Sequence, residues 1–206
     1  MYICIEGNIG AGKSTVLSIL RNLGVITREE PIDVWRGVDE NLLEKLYEDP
    51  KKYSFAFQKL AIETTKIIDG NEPMITERSV YSTFHVFTEL AREKLYLNEQ
   101  QYTELHELYK HTISTQVPIE AIIYIRTPAK TCFERVKIRK RKEEEGKLDL
   151  KVLEQLEALH DKVFIGNQHL FKFPIYVLDG QQSSEYLTIR ILNIMYKHRV
   201  YTISAR

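Results

Sequence analysis

A glycine-rich motif follows directly on a short apolar run near the start of the chain. The apolar run, residues 2–6, has the length of one buried strand, and the motif fits the pattern G-x-x-x-x-G-K-[ST] where helical spacing begins. Glycines let the backbone curl so that its N–H groups point inward, and the helix start adds the positive end of its dipole. This order of strand, loop and helix predicts a site for the phosphates of a nucleoside triphosphate.

Three side chains of this loop have expected roles. Lys13 should reach the β- and γ-phosphates, the Ser14 hydroxyl should ligate Mg²⁺, and Thr15 offers a further hydroxyl to a phosphate. The motif is silent about the group that accepts the phosphate. The predicted phosphate-binding residues are Gly7, Asn8, Ile9, Gly10, Ala11, Gly12, Lys13, Ser14 and Thr15.

Apolar runs alternate with segments of helical spacing along the whole chain. The expected strands are 2–6, 25–28, 73–77, 121–125 and 175–178, and the expected helices are 14–23, 42–48, 53–68, 80–93, 99–114, 128–142 and 150–166. This alternation predicts an α/β fold, with a five-stranded parallel sheet flanked by helices on both faces. We expect residues 1–206 to form one domain whose ligand lies beyond the carboxyl ends of the strands.

Composition excludes several classes of function. The chain has 29 basic and 29 acidic residues among 206, so no global field draws it to nucleic acid or to a membrane. Cys4 and Cys132 lack metal-ligand spacing and are expected to be reduced thiols. No apolar run is long enough to span a bilayer, and the first strand leaves no room for a targeting peptide. A cytoplasmic protein is the expectation.

Acidic residues follow two of the predicted strands. Glu30, held before Pro31, is placed to receive a proton from a hydroxyl acceptor as that hydroxyl attacks the γ-phosphate. Glu77 suits a Mg²⁺-bound water, and the adjacent Arg78 suits phosphate charge. Each of these clusters taken alone is also typical of an ordinary surface turn or helix start.

A basic cluster ends the helix predicted at 128–142. Arg135 and Arg139 share one helix face, and together with Arg141 they could close over a triphosphate and stabilise the transferring group. A solvated charged face and a nucleic-acid patch are the alternatives, and the three glutamates at 143–145 weaken the second of these.

Five stretches in order resemble the deoxynucleoside kinase family, which includes deoxycytidine, deoxyguanosine and mitochondrial thymidine kinases and an insect multisubstrate enzyme. They are GNIGAGKST at 7–15, EPIDVW at 30–35, YEDPKKYSFAFQ at 47–58, ERSVYS at 77–82 and TCFERVKIRKRKEEEG at 131–146. The resemblance implies a P-loop kinase fold with an arginine-rich lid at about 135–147. It also implies Mg²⁺-dependent transfer of the ATP γ-phosphate to a deoxynucleoside 5′-hydroxyl, and a homodimer joined through helices near 80–93 and 99–114.

The resemblance also implies individual roles. Glu30 matches the general base, with Arg78 beside it, and Lys13 completes the catalytic set. Gln58 matches a glutamine that reads the base edge, and Glu29 is the fallback for Glu30, as Glu143 is for Glu144. The remaining matches are Trp35, Phe57 and Phe87 for the aromatic walls around the base, Tyr47 and Glu144 for the sugar 3′-hydroxyl, and Arg135, Arg139 and Arg141 for the lid.

Two positions depart from the deoxycytidine and deoxyguanosine enzymes, which carry an Arg seven residues after the glutamine and an Asp directly after the ERSVYS block. This chain has Thr65 and Thr83 there. Loss of both charges should widen and neutralise the pocket beside the pyrimidine 5-position. We therefore expect thymidine and deoxycytidine as substrates, with purines poorer.

Three alternative functions remain open at this point. A nucleoside monophosphate kinase of the thymidylate type would share the phosphate loop and the lid, but Glu30, Tyr47 and Glu144 suit a hydroxyl acceptor better than a phosphate. A non-catalytic nucleotide-binding relative would be free to lose Lys13 or Ser14, and both are present. A nucleic-acid-binding module ranks last because of the balanced charge.

Overall fold

The computed structural model describes residues 1–38, 41–69 and 72–200. Five strands form one sheet in the order β2-β3-β1-β4-β5, and every pairing in it is parallel. Their bounds are β1 Tyr2–Glu6, β2 Thr27–Arg28, β3 Met74–Glu77, β4 Ile119–Arg126 and β5 Ile175–Asp179. The predicted α/β class and five-stranded parallel sheet are confirmed.

Nine helical elements surround this sheet in the described parts of the chain. Helix α5 spans three consecutive segments: Val80–Ser82, the π-helical Thr83–Thr88 and Glu89–Glu93. Helix α8 is followed directly by a π-helical segment, Lys162–Gly166, and then by a 3₁₀ turn at Gln168–Leu170. The bounds of the others and of α8 itself are α1 Lys13–Asn22, α2 Ile32–Gly37, α3 Leu42–Glu48, α4 Pro50–Thr65, α6 Glu99–Thr115, α7 Ala129–Arg139, α8 Leu150–Asp161 and α9 Ser184–Lys197. None of the helices in the described ranges has the length and apolar character needed to cross a membrane.

Alternate side chains of the central strand separate two cores. Tyr2 and Cys4 face the cluster built with α7 and α8, whereas Ile3 and Ile5 face the cluster built with α1 and α9. All four are at most 2% exposed, as expected for the middle strand of a parallel sheet covered on both sides. The loop after β1 therefore rests on a rigid support.

Helix boundaries differ from the prediction where capping residues decide them. Helix α4 begins at Pro50, because the Asp49 side chain accepts a hydrogen bond from the Lys52 N–H and proline fits the first helical position. Helix α7 ends at Arg139, because Lys140 adopts a left-handed conformation with φ 50°. The expected strand 25–28 is reduced to Thr27–Arg28.

Two helices were not predicted. The six residues of α2 are too few to show helical periodicity. Helix α9 had a readable start, because the Ser183 hydroxyl accepts a hydrogen bond from the Tyr186 N–H as an N-cap. It covers one face of the sheet through Leu187 and Ile191.

The phosphate-binding loop is packed so closely against α7 that Gly10 leaves no space for a side chain. A Cβ on Gly10, whose φ is 81°, would lie 2.6 Å from the Cys132 carbonyl oxygen. Gly10→Ala should therefore lower the free energy of unfolding by more than the about 1–2 kcal/mol that a left-handed conformation costs a non-glycine residue, and it should weaken ATP binding. Urea unfolding and ATP titration measure both effects.

Gly24→Ala is the matched control for that variant. Gly24 also has a positive φ, 87°, but a Cβ there meets nothing within 4 Å. It should show the backbone cost alone and full ATP binding. Equal destabilisation of the two variants with unchanged ATP binding would show that close packing of the loop on α7 is unimportant.

Candidate active site

A cavity of about 680 Å³ opens at the carboxyl ends of β1, β2 and β3, a size typical of small-ligand sites. It lies between the loop after β1 on one side and helices α2 to α5 on the other. The predicted site residues that line it are Ile9, Gly10, Ala11, Gly12, Lys13, Ser14, Thr15, Glu30, Trp35, Tyr47, Phe57, Gln58, Glu77, Arg78, Thr83, Phe87, Arg135, Arg139, Arg141 and Glu144.

Three predicted site residues do not line the cavity in the described structure. Gly7 packs against β4, where an added Cβ would lie 2.7 Å from the Ile125 carbonyl oxygen. The Asn8 side chain is buried and donates to the Leu153 carbonyl oxygen at 2.8 Å, so it fastens the loop to α8. Thr65 ends α4 and is buried outside the lining. Its predicted contact with the nucleoside stays a prediction.

The Lys13 side chain is buried against the backbone of the phosphate-binding loop. Its ammonium donates to the carbonyl oxygens of Gly7 at 3.1 Å and Asn8 at 2.9 Å, and lies 3.8 Å from Glu77. Burial and the nearby charge of Arg78 lower the pKa of Lys13, while Glu77 acts in the opposite direction. Phosphate oxygens would add negative charge beside this buried ammonium and favour its protonated form.

Ser14 and Glu77 form an oxygen-rich corner beside Lys13. The Ser14 hydroxyl lies 3.1 Å and 3.0 Å from the two carboxylate oxygens of Glu77. Burial and the neighbouring Glu30 raise the pKa of Glu77. A divalent cation would favour the ionised carboxylate, and a hydroxyl with a carboxylate is the kind of oxygen donor set that Mg²⁺ shares with phosphates.

Glu30 and Arg78 form a buried ion pair at the centre of the cavity. Arg78 has a left-handed backbone with φ 65°, its N–H donates to the Ile5 carbonyl oxygen at 2.9 Å, and its guanidinium lies 4.3 Å from the Phe87 ring centroid. One guanidinium nitrogen, Nη1, is buried and has no partner among the residues that the structure describes. Arg78 therefore holds Glu30 in place and adds a positive charge to the cavity wall.

The choice between Glu30 and its neighbour is resolved by position. Glu29 pairs with Arg21 at 2.7 Å, and both side chains are about half exposed outside the cavity. Burial acts to raise the pKa of Glu30, but the charges of Arg78 and Lys13 outweigh it, so the pKa lies below the ordinary value of 4.5. Glu30 is thus ionised at neutral pH and can accept a proton.

This lowered pKa has a direct kinetic consequence. Glu30 accepts a proton only when it is ionised, so kcat/KM for the nucleoside should be flat from about pH 8 to pH 6 and should fall only below the ordinary glutamate pKa of 4.5. Initial rates after short pH jumps, at saturating Mg²⁺ to keep Glu77 ionised, measure the profile. An acidic limb centred between pH 6 and 7 would contradict it.

Aromatic and uncharged polar side chains line the end of the cavity away from the phosphate-binding loop. Trp35 and Phe57 meet edge to face with ring centroids 5.2 Å apart, and the Trp35 indole N–H donates to the Thr64 hydroxyl at 2.9 Å. Gln58 is buried, and its side-chain oxygen lies 3.4 Å from the Thr88 hydroxyl. These groups suit a planar ring with hydrogen-bonding edges.

The segment predicted as a lid begins at the end of α7. Arg135 donates to the carbonyl oxygens of Ala11 at 3.2 Å and Gly180 at 3.1 Å, so it lies against the phosphate-binding loop. Arg139 and Arg141 both pair with the buried carboxylate of Glu144, which faces the cavity. Cationic groups are thus gathered beside the phosphate end.

The two candidate glutamates of the segment point to different places. Glu144 lines the cavity near Tyr47, whose pKa is raised by burial and by the charge of Glu144. Glu143 is buried outside the cavity lining and pairs with Arg36 at 2.7 Å. The structure therefore favours Glu144 over Glu143 as a ligand contact.

Two features of this region escaped sequence reasoning. One is another cavity, of about 350 Å³, beyond the phosphate-binding loop; it is lined by Thr15, Arg135 and the start of α9 around Ser183. The N-cap pattern at Ser183 was the sequence signal that could have predicted the helix start there. The second is Glu6, a fully buried carboxyl that accepts a hydrogen bond from the Ser79 hydroxyl and braces the turn carrying Arg78. The sequence pattern that could have predicted this role is an acidic residue at the end of an apolar strand.

A phosphate-binding loop on a parallel sheet, facing a buried carboxylate across a nucleoside-sized cavity, defines a P-loop kinase. The model of the deoxynucleoside kinase family matches residues 3–197. The chain belongs to that family, and it is an enzyme that phosphorylates deoxynucleosides by ATP-dependent phosphoryl transfer. The predicted family and reaction are confirmed.

The similar proteins carry two different substrate names. A fowlpox virus protein named as a probable deoxycytidine kinase is 36% identical over a 191-residue alignment that covers 86% of this chain and 78% of that protein. Human deoxycytidine kinase is 31% identical over 88% of this chain and 84% of its own length. Human mitochondrial thymidine kinase 2 is 30% identical over 96% of this chain and 76% of its own length. The cytoplasmic location expected for this chain stays a prediction.

Proposed function

We propose that this enzyme transfers the γ-phosphate of ATP to the 5′-hydroxyl of thymidine and deoxycytidine, with Glu30 as the general base. The observation that carries the proposal is that the ionised Glu30 and the phosphate-binding Lys13 line one cavity of about 680 Å³. A sugar between them would present its 5′-oxygen to the carboxylate and to the γ-phosphate at once.

Glu30 and Arg78 divide the chemistry of the acceptor side. Glu30 takes the proton of the 5′-hydroxyl as the oxygen attacks, and the positive charge of Arg78 beside it stabilises the charge that spreads over the transferring phosphoryl group. Lys13 and the lid residues Arg139 and Arg141 stabilise the same charge from the donor side.

Mg²⁺ is the proposed cofactor at the corner formed by Ser14 and Glu77. The Ser14 hydroxyl would ligate it directly, and Glu77 would hold one of its waters, since Mg²⁺ in phosphate-binding sites keeps several waters. When bound, the cation neutralises charge on the β- and γ-phosphates. The close approach of the two side chains, 3.0 Å at its shortest, supports this assignment.

The sugar and the base are assigned to the helical side of the cavity. Tyr47 and Glu144 are proposed to hydrogen-bond the 3′-hydroxyl, and Gln58 to read the base edge with its amide. Trp35 and Phe57 form one wall around the base, and the Phe87 ring, which Arg78 covers on one side, forms another. Stacking of this kind contributes about 1–3 kcal/mol per base in comparable sites.

Thr83 supports the preference for pyrimidines with a 5-methyl group. It lines the cavity, is uncharged, and donates its hydroxyl to the Ser79 carbonyl oxygen at 3.1 Å, leaving a small neutral wall. Thr65, the other uncharged position expected from sequence, lies outside the cavity lining. The preference is therefore attributed to Thr83 alone.

The substrate assay tests this preference. With ATP and each of the four deoxynucleosides, thymidine and deoxycytidine should give the two highest values of kcat/KM. Thr83→Asp should reduce the value for thymidine by about tenfold or more, because a buried charge beside a methyl group is unfavourable. A strict purine preference in the parent enzyme would contradict the proposal.

A monophosphate acceptor is the principal competing substrate. Thymidine monophosphate in place of thymidine would set its own phosphate against the Glu30 carboxylate, so turnover of the monophosphate should be negligible.

A homodimer through α5 and α6 remains part of the proposal, and size-exclusion chromatography with light scattering tests it.

A further inference from the structure

Glu143 and Arg36 form a two-point ion pair between segments 107 residues apart in sequence. Arg36 Nε donates to Glu143 Oε1 at 2.7 Å, and Nη2 donates to Oε2 at 3.2 Å. The Glu143 side chain is 4% exposed, whereas that of Arg36 is 42% exposed. Hydrogen bonds from Arg36 are the main cause that lowers the pKa of Glu143 to about 2, so the carboxylate is ionised and fully paired.

Each partner is the immediate neighbour of a residue in the cavity wall. Arg36 follows Trp35 in α2, and Glu143 precedes Glu144 in the turns after α7. The ion pair therefore joins the backbone that carries an aromatic wall to the backbone that carries the proposed 3′-hydroxyl ligand.

Other contacts of this segment do not fix Glu144 relative to the nucleoside-side helices in the same way. Within residues 1–38, 41–69 and 72–200, the ion pairs of Glu144 go to Arg139 and Arg141, which lie in its own segment. Lys147 does reach Glu48 of α3 at 3.1 Å, but the Glu48 side chain is 55% exposed, and exposed single ion pairs are weak. A bidentate guanidinium–carboxylate pair restricts orientation as well as distance.

We propose that Glu143 and Arg36 are positioning residues that hold Glu144 at the sugar, and that they thereby set the selectivity of the enzyme for nucleosides carrying a 3′-hydroxyl. The inference rests on the proposed role of Glu144. Neither residue of the pair touches the substrate. Each acts through its neighbour, so its loss should affect discrimination at the 3′-position more than turnover of a bound nucleoside.

The test is the ratio of kcat/KM for thymidine to that for 3′-deoxythymidine. In Arg36→Met and in Glu143→Gln this ratio should fall by about tenfold, the value of one hydrogen bond to a charged group. The double variant should fall no further than the larger single effect, because both substitutions break the same pair. Arg36→Lys, which keeps the charge without the two-point geometry, should be intermediate.

Glu48→Gln is the control for a general loosening of the segment. It removes the exposed pair with Lys147 at a residue outside the cavity lining and should leave the ratio unchanged. Because Arg36 is half exposed, Arg36→Met and Arg36→Lys should fold. These two variants test the proposal even if Glu143→Gln does not fold.

Glu144→Gln separates the two possible failures. If its ratio stays at the parental value, Glu144 does not read the 3′-hydroxyl, and both the assignment and the inference are wrong. If its ratio falls while Arg36→Met and Arg36→Lys retain the parental ratio, the positioning role is wrong and the assignment of Glu144 stands. A fall that Glu48→Gln reproduces in full would also overturn the specific role of the pair.

Discussion

Glu30→Gln should reduce kcat with thymidine by about 10²–10⁴-fold, the usual contribution of a general base, while thymidine still binds with a Kd close to that of the parent enzyme. The amide has the size of the carboxylate and can still hydrogen-bond to the 5′-hydroxyl, but it cannot accept the proton. Rapid-quench turnover and a fluorescence titration on Trp35, the single tryptophan of the chain, measure the two quantities separately.

Glu29→Gln is the matched control. Glu29 is adjacent in sequence and equally acidic, but it pairs with Arg21 at the surface, so its amide variant should keep parental turnover. Parental kcat in Glu30→Gln, or a loss shared equally by both variants, would remove the proposed base from the mechanism.

Lys13→Met should reduce kcat/KM for ATP by about 10²–10³-fold, as expected when one group that stabilises transition-state charge is removed. The unbranched methionine fills the space of the lysine stem but cannot donate to the β- and γ-phosphates. The ammonium is buried beside Glu77, so the substitution also leaves that carboxylate without its cation, and ATP binding should weaken together with turnover.

Lys137→Met is the control for a general loss of positive charge near the donor site. Lys137 belongs to the same basic cluster as Arg139 but pairs with Glu134 on the exposed face of α7. It should turn over ATP normally. Equal losses in the two lysine variants would indicate a diffuse electrostatic effect in place of a specific contact of Lys13 with phosphate.

Local features of the sequence were sufficient to predict most of the fold and much of the site. The strand 2–6 and the loop after it are specified by residues adjacent in the chain, and β1 occupies the predicted range. The same holds for the acids at strand ends: Glu30 and Glu77 line the cavity because the carboxyl ends of neighbouring parallel strands meet at one edge of the sheet.

Contacts between segments distant in sequence determine which side chains reach the cavity, and local sequence patterns do not predict them. The Asn8 side chain belongs to the motif by sequence, but its amide is used to fasten the loop to α8 through Leu153. Thr65 was placed at the ligand by its spacing from Gln58, whereas α4 ends at Thr65 and keeps it out of the cavity lining. The bond between Arg36 and Glu143 has no local signature at all.

The central claim is that a deoxynucleoside lies between Glu30 and the phosphate-binding loop. A crystal structure of the enzyme with thymidine and a non-hydrolysable ATP analogue tests it most directly. The account predicts the thymidine 5′-oxygen within about 2.6–3.2 Å of a Glu30 carboxylate oxygen and in line with the γ-phosphate above Lys13. Thymidine bound elsewhere, or with its 5′-oxygen directed away from Glu30, would contradict it.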